Sequence, residues 1–205
     1  MEFITHSHRY ANEVFMEDDN INKLWDEIVN ALHSISDEDI INQFNSDLRK
    51  AKSISQAINE LIKKRLVEKG WNPESCIFAD PDYAEEKGTW RLDFAKEDIA
   101  IEVAFNHGGN VSWNLIKPVL SSELNHVKKA IQTKVGVIIT ATDDMKRAGG
   151  YDGAVGSYEK YVEYLKPLHN ILTTPMMIVG LLPPKTFKIK QEFKDGKLRG
   201  FIEKI

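Results

Sequence analysis

A glutamate near the middle of the chain lies inside an apolar run, Ile99-Ala100-Ile101-Glu102-Val103. An ionised carboxylate is costly to bury unless a cation or a hydrogen-bond donor pairs with it. A second carboxylate, Asp93, lies in the strand-like run just before it. The runs at 89–95 and 98–105 have the length and composition of two strands joined by a tight turn. They predict a β-hairpin that holds Asp93 and Glu102 close together.

The rest of the chain alternates between helical and strand-like patterns. Apolar residues at three- and four-residue spacing predict amphipathic helices, and short β-branched runs predict buried strands. The predicted helices cover 20–34, 53–69, 121–132 and 158–168, the strands 89–95, 98–105, 134–140 and 176–182, and the loops 72–88 and 141–156. A polar hairpin is predicted around Asp195-Gly196. Helices alternating with strands predict an α/β class with a central mixed β-sheet flanked by helices.

The length and composition indicate one hydrophobic core. A chain of 205 residues, 42% hydrophobic and 28% charged, is expected to form a single domain over 1–205. Within it we expect an N-terminal helical part over about 1–70, a core over about 71–184 and a tail over about 185–205.

Bulk charge and cysteine content narrow the function classes. The net charge of -4 argues against a dedicated non-specific nucleic-acid binder but leaves room for a local basic surface. Cys76 is the single cysteine, which excludes an internal disulfide and a thiolate metal cluster and favours the cytoplasm. No apolar stretch approaches the roughly 20 residues that a membrane span needs. His6 and His8 are expected to be surface residues of a frayed end rather than a zinc site.

The predicted hairpin has the chemistry of a magnesium site. Mg²⁺ takes oxygen ligands and keeps several waters, so Asp93, Glu102 and one backbone carbonyl suffice. Strand periodicity places residue 104 on the same side as Glu102. In a D…(D/E)-x-K active site that third residue orients or helps deprotonate the attacking water, and Ala104 can do neither. Two ordinary strand carboxylates in surface ion pairs remain the alternative, because an acid-x-any pattern is common.

Short motifs in a fixed order add a resemblance. They are LWDEI at 24–28, LVEKGW at 66–71, DF-x-K-x-D at 93–98, EV-x-F at 102–105, VGVIIT at 135–140, SYE at 157–159 and P-x-x-IVGL at 175–181. At these residues the chain resembles the BglII/BstYI family of type II restriction endonucleases, which is related to BamHI and has the PD-(D/E)xK nuclease fold. The likeness runs through roughly residues 20–183.

The resemblance implies a function and a set of active-site residues. It implies a homodimer that clamps a palindromic double-stranded DNA site with a central GATC and cuts both strands, leaving a 5′-phosphate and a 3′-hydroxyl. Asp93 and Glu102 would bind Mg²⁺ with the carbonyl of Val103 as a further ligand. Glu74 is the candidate for a fourth, upstream catalytic residue, although a loop carboxylate in water is an equal alternative.

The sequence departs from the family at residue 104, where relatives carry Gln, Glu or Lys and this chain carries Ala104. Three explanations compete. The residue was changed on purpose to trap DNA without cleavage, the protein is a natural slow or inactive variant, or another group replaces the missing side chain. The intact pair of Asp93 and Glu102 favours the first explanation, because natural decay tends to remove ligands as well.

Three segments are candidates for contacts with DNA. In the family architecture, the residues after the second acidic strand face the major groove, where Asn bonds adenine and Arg grips guanine. The candidates are Asn106, His107 and Asn110 after that strand, Lys146, Arg147 and Ser157 in or beside the loop at 141–156, and Arg49, Lys50 and Lys52 for backbone phosphates. Each segment has a structural alternative. These are a glycine-containing turn for the first, a mobile surface loop for the second and a solvated helix face for the third.

Three rival functions remain open at this point. The first is a catalytically inactive, sequence-specific DNA-binding protein on the same fold, for which Ala104 is the main support. The second is a structure-selective DNA repair nuclease. The third is a protein unrelated to DNA, for which the net charge of -4 is the only support.

Overall fold

A computed structural model of the chain describes residues 1–46, 51–84, 89–123, 126–194 and 196–205. The strands are β1 (Phe3–His8), β2 (Asn72–Cys76), β3 (Arg91–Lys96), β4 (Ile99–Val103), β5 (Val135–Ala141), β6 (Met176–Leu181), β7 (Phe187–Lys194) and β8 (Lys197–Lys204). The helices are α1 (Ala11–Glu17), α2 (Asp19–His33), α3 (Asp37–Ser46), α4 (Ser55–Glu68), α5 (Pro81–Ala84), α6 (Val111–Ser122), α7 (Asp143–Ala148) and α8 (Tyr158–Leu165). A short 3₁₀ turn, Gly108–Asn110, precedes α6.

Six strands form one mixed sheet in the order β1-β6-β5-β4-β3-β2, and β7 and β8 form a separate hairpin. Strands β4, β5 and β6 run parallel, whereas β1, β2 and β3 each pair antiparallel with a neighbour. The predicted hairpin is confirmed, because Phe94 of β3 lies opposite Ile101 of β4. The mixed sheet flanked by helices is therefore confirmed as well.

The two faces of the sheet are covered by different helices. Odd-numbered residues of β4 and β5 pack with apolar residues of α1, α2, α3 and α4 in the largest hydrophobic cluster. Ala104 and Ile138 belong instead to a second cluster with residues of α6 and α8. Because side chains alternate across a strand, Glu102 faces the second layer, beneath α6.

The helix predicted over 121–132 is wrong. The helix in this region is α6, which covers Val111–Ser122 and has Pro118 inside it. Beyond it, the backbone N–H of Ala79 donates to the carbonyl of Lys128, and that of Ala130 donates to the carbonyl of Ile77. Residues 128–130 are thus held extended by pairing with a distant segment, which local periodicity cannot reveal.

The two predicted loops and the frayed N-terminus also need correction. Segment 72–88 contains β2 and α5, and segment 141–156 contains α7, whose first turn is capped by the Thr142 hydroxyl accepting from the Met145 N–H. His6 is exposed as expected. His8 is instead 5% exposed in β1, an edge strand that pairs with β6, and its Nε2 lies 2.9 Å from the Leu172 carbonyl.

The C-terminal hairpin is confirmed, with Lys194 of β7 opposite Lys197 of β8. It is fastened to the rest of the molecule by Gln191, whose Nε2 donates to the carbonyls of Gly150 (2.7 Å) and Lys52 (3.1 Å). Among the described residues, no helix has the length and apolarity to cross a membrane.

Candidate active site

The hairpin of β3 and β4 brings the two predicted carboxylates together on neighbouring strands of the sheet. Oδ2 of the half-buried Asp93 accepts a hydrogen bond of 2.7 Å from the backbone N–H of Val103. Glu102 is only 2% exposed. Its Oε1 is buried and has no hydrogen-bond partner among the described residues. A buried carboxylate oxygen without a donor is costly, and this oxygen remains available to accept from a ligand.

The protonation of the pair reflects its burial. Burial and, after it, the charge of Asp93 raise the pKa of Glu102 to about 8, against the opposing effect of Lys117. Burial also raises the pKa of Asp93, against the Val103 N–H and Lys117. A buried carboxylate whose pKa is raised by a neighbouring carboxylate is one that a divalent cation would stabilise in its ionised form.

The sequence interpretation missed Lys117, the basic residue of this site. Its Nζ forms an ion pair with Oε2 of Glu102 and donates a hydrogen bond of 3.0 Å to the Arg91 carbonyl. Its side chain is 11% exposed. Lys117 was missed because the helix was predicted over 121–132 and not over α6. Asn114 and Ser121, which are both buried, lie on the same helical face as Lys117, at spacings of three and four residues.

The structure encloses position 104. Ala104 is 1% exposed and belongs to the cluster that includes Val111 and Leu115 of α6. Its N–H donates to the Ile139 carbonyl and its own carbonyl accepts from the Thr140 hydroxyl. Helix α6 thus covers residue 104 and carries Lys117 into the same site.

Glu74 lies on the neighbouring strand, near the pair but exposed. The register of β2 and β3, with Pro73 opposite Phe94 and Ser75 opposite Leu92, places Glu74 beside Asp93. Its charge contributes to the raised pKa of Asp93. Its backbone has a φ of 51°, a left-handed conformation at the strand.

The available ligands fit a hard cation better than a transition metal. Within the described ranges, no three or more His, Cys, Asp and Glu side chains are gathered for a metal ion. The oxygen donors of the hairpin are the carboxylates of Asp93 and Glu102. This set suits Mg²⁺, which keeps several of its waters, and the unpaired Oε1 of Glu102 is a ready ligand.

The first predicted DNA-reading segment lies against the second. Oδ1 of Asn106 accepts from Nδ2 of Asn114 at 3.1 Å, which ties it to α6. His107 and Val155 form an isolated β-bridge. The backbone N–H of Asn110 donates to the His107 carbonyl. The structure therefore brings residues 106–110 and 154–156 together at one edge of the site.

The residues predicted to contact DNA through basic or hydroxyl groups differ in how far other groups of the protein already bind them. Lys146 is engaged with its own loop, since Nζ donates to the Val155 carbonyl at 2.6 Å and its side chain is 13% exposed. Arg147 is 73% exposed and pairs with Asp144 on the surface. Lys52 pairs with Asp152 at 2.8 Å. Ser157 is buried. Arg49 and Lys50 lie outside the described residues.

An open groove with a volume of about 270 Å³ adjoins the site. Its lining comprises Ser55, Gln56, Asn59, Val103, Phe105 and Asn106. The first three are polar residues of α4 that the sequence interpretation did not single out. Their spacing on the helix was visible, but nothing in the sequence showed that this face would lie beside the acidic hairpin.

Fold and site together define a class of protein: an α/β protein with a buried acidic pair on the β3–β4 hairpin of a mixed sheet. The model of the family described as restriction endonuclease BglII/BglIII matches residues 3–181. The chain belongs to this family of restriction endonucleases, which are site-specific deoxyribonucleases, and the resemblance drawn from the sequence motifs is confirmed.

Two solved structures are similar to the chain over 100% of both chains. Restriction endonuclease BglII complexed with a DNA 16-mer matches with 21% sequence identity and a TM-score of 0.68. Free BglII matches with 20% identity and a TM-score of 0.56. At these identities the likeness shows the fold, and the predicted restriction-endonuclease-like fold is confirmed. No curated protein sequence matches the chain.

Proposed function

We propose that the chain is a type II restriction endonuclease that acts as a homodimer in the cytoplasm. It hydrolyses phosphodiester bonds in both strands of a palindromic double-stranded DNA site with a GATC core, and it depends on Mg²⁺. The observation that carries this proposal is the buried pair of Asp93 and Glu102 with the unpaired Oε1 of Glu102. Family membership supports the DNA substrate.

Each residue of the proposed centre has a physical task. Asp93, Glu102 and the Val103 carbonyl would hold Mg²⁺, which when bound polarises the scissile phosphate and activates water. The Val103 N–H fixes Asp93, and Lys117 fixes Glu102. The apolar neighbours of Glu102 on β4 exclude bulk water, which strengthens every charge interaction in the site.

The proposed DNA contacts come from the joined segments beside this centre. Asn106, His107 and Asn110 would face base edges, and Arg147 would reach a guanine, whereas Lys52 would hold a phosphate. A homodimer presents each of these groups twice about a two-fold axis, which matches the symmetry of a palindromic duplex.

One observation favours a second function, binding of the DNA site without cleavage. Ala104 offers no polar group at the position that usually orients the attacking water, and the residue is enclosed. An inactive binder on the same fold would keep the DNA contacts and lose the chemistry.

The first experiment is cleavage of a plasmid that contains GATC sites, for the unmodified chain and for Ala104→Gln and Ala104→Glu. We expect discrete fragments with Mg²⁺ and none with EDTA. Discrete cutting by only a substituted chain supports the inactive-binder reading for the unmodified chain. Absence of both cutting and salt-sensitive duplex binding in every version overturns the proposal.

Arg147→Ala is expected to weaken binding to the specific duplex about 5- to 150-fold, the 1–3 kcal/mol that one bidentate base contact contributes. The surface pair with Asp144 costs little to break, so the guanidinium is free to turn to DNA. Fluorescence anisotropy with Ca²⁺ in place of Mg²⁺ measures the affinity for specific and scrambled duplexes. Lys23→Ala, an exposed lysine of α2, is the control. Equal weakening on both duplexes would assign Arg147 to a phosphate instead.

A further inference from the structure

A lysine from helix α6 contacts Glu102 on the strand face where the family motif has its third polar side chain. Residues 102 and 104 share one face of the strand, and on that face Lys117 contacts Glu102 while Ala104 carries only a methyl group. We propose that Lys117 is a catalytic residue that compensates for the side chain missing at 104, not by handling the attacking water but by donating to a non-bridging oxygen of the scissile phosphate. This inference rests on the proposed nuclease function.

The hydrogen bonds of Lys117 leave it equipped for this task. An ammonium has three N–H donors. Among the described residues, one serves Oε2 of Glu102 and one serves the Arg91 carbonyl. The third N–H remains for a ligand that lies against the carboxylate pair. Mg²⁺ held by Asp93 and Glu102 would place the phosphate of a bound duplex there. A cation fixed beside developing negative charge is among the strongest aids to phosphoryl chemistry.

The packing of α6 fixes Lys117 in this position. Pro118, the next residue, lies so close to β5 that a Cβ built on Gly136 would be 2.6 Å from the Pro118 Cβ. Glycine at this strand position therefore permits the close approach of the helix. Asn114, one turn earlier, donates to the hydroxyl of the buried Tyr161 at 2.6 Å. Both contacts hold the helix at a fixed height above Glu102, so the lysine needs no rearrangement to serve the site.

The reaction balances without a proton from Lys117. A water oxygen bonds to phosphorus, and the bond between phosphorus and the 3′-oxygen breaks with its electron pair on that oxygen. One water proton ends on the 3′-hydroxyl and the other in solvent. Lys117 keeps its own proton throughout and contributes charge and a hydrogen bond.

The alternative is a purely structural lysine that neutralises a buried glutamate. The two roles separate in three variants: Lys117→Met, which keeps length and removes charge, Lys117→Arg, which keeps charge, and Lys117→Ala, which leaves room for a small amine. Single-turnover cleavage of a GATC-containing duplex at saturating Mg²⁺ is measured beside duplex affinity with Ca²⁺, the Mg²⁺ concentration at half-maximal rate, and the unfolding midpoint.

We expect Lys117→Met to lower the single-turnover rate about 100-fold, the effect of removing one donor to a developing charge. Duplex affinity and the half-maximal Mg²⁺ concentration should remain near those of the unmodified chain. Lys117→Arg should retain part of the rate. Methylammonium should accelerate Lys117→Ala in a saturable manner and leave Lys117→Met unaffected. A rate for Lys117→Met close to that of the unmodified chain, or a loss matched by lost folding or lost duplex binding, would overturn the inference.

The unmodified chain itself distinguishes this inference from the proposed function. If it binds the duplex but fails to cut while Ala104→Gln cuts, Lys117 does not compensate for the missing side chain, and the unmodified chain is the binder without cleavage. If no version cuts or binds the duplex, the proposed function fails first.

Discussion

Replacing Asp93 with asparagine should lower the rate of duplex cleavage about 1000-fold or more. A bound metal contributes several kcal/mol to the barrier, and each 1.36 kcal/mol is a factor of ten in rate. Asparagine has nearly the same shape, and its side-chain oxygen can still accept from the Val103 N–H, as Oδ2 of Asp93 does at 2.7 Å. The substitution therefore removes charge from the site and leaves the hairpin in place.

Because Asp93 is buried, Asp93→Asn is not expected to destabilise the fold. The pKa of Asp93 is raised by burial, which means that the folded chain pays to keep the carboxylate ionised. A neutral asparagine avoids that cost, so the unfolding midpoint of the metal-free variant should not fall. Single-turnover cleavage, duplex affinity with Ca²⁺ and thermal unfolding together separate lost chemistry from lost structure.

Asp98→Asn provides the matched control. Asp98 lies at the opposite end of the same hairpin and pairs with Lys134 at 2.9 Å, with a side chain 21% exposed. It is not part of the proposed centre, so its loss should leave the cleavage rate near that of the unmodified chain. Equal losses from Asp93→Asn and Asp98→Asn would mean that hairpin stability, not metal binding, explains the effect.

The acidic hairpin was predictable from sequence because its signal is local. Two adjacent apolar runs separated by a short polar turn predict a hairpin. Strand periodicity then predicts that Asp93 and Glu102, one in each run, converge. The parallel core strands β5 and β6 were predictable for the same reason, since strands buried on both faces read as continuous apolar runs.

Lys117 was not predictable, because its role depends on packing between distant segments. Two glycines and Pro118 obscured α6, and the close approach that seats this helix depends on Gly136, which lies in another strand. Strand β1 was not predicted from the sequence for a related reason. Five of its six residues are exposed or half-exposed at the sheet edge, so it lacks an apolar period, and only its pairing with β6 reveals it.

Replacing Trp71 with alanine should cost about 3–5 kcal/mol of unfolding free energy, the usual effect of deleting a large buried aromatic side chain. Trp71 is 1% exposed and belongs to the main cluster between the sheet and helices α1 to α4. Its Nε1 donates to Oε2 of Glu27 at 3.0 Å, and the same oxygen accepts from Lys96 at 2.7 Å. The loss is a large part of the 5–15 kcal/mol that holds a typical domain folded.

Trp71→Phe separates the cavity from the hydrogen bond. It keeps most of the ring volume and loses the indole N–H, while Lys96 still serves Glu27, so we expect a cost of about 1–2 kcal/mol. Urea unfolding followed by circular dichroism measures both values. A cost below about 1 kcal/mol for Trp71→Ala would contradict its place in the core.

The same variant tests whether stability and chemistry are separable in this molecule. Trp71 immediately precedes β2, which carries Glu74 and pairs with β3, but the proposed metal ligands lie on β3 and β4. The folded fraction of Trp71→Ala should therefore cleave at nearly the unmodified rate well below its unfolding midpoint. A rate loss comparable to that of Asp93→Asn in fully folded protein would instead show that the β2 edge, with Glu74, takes a direct part in the site.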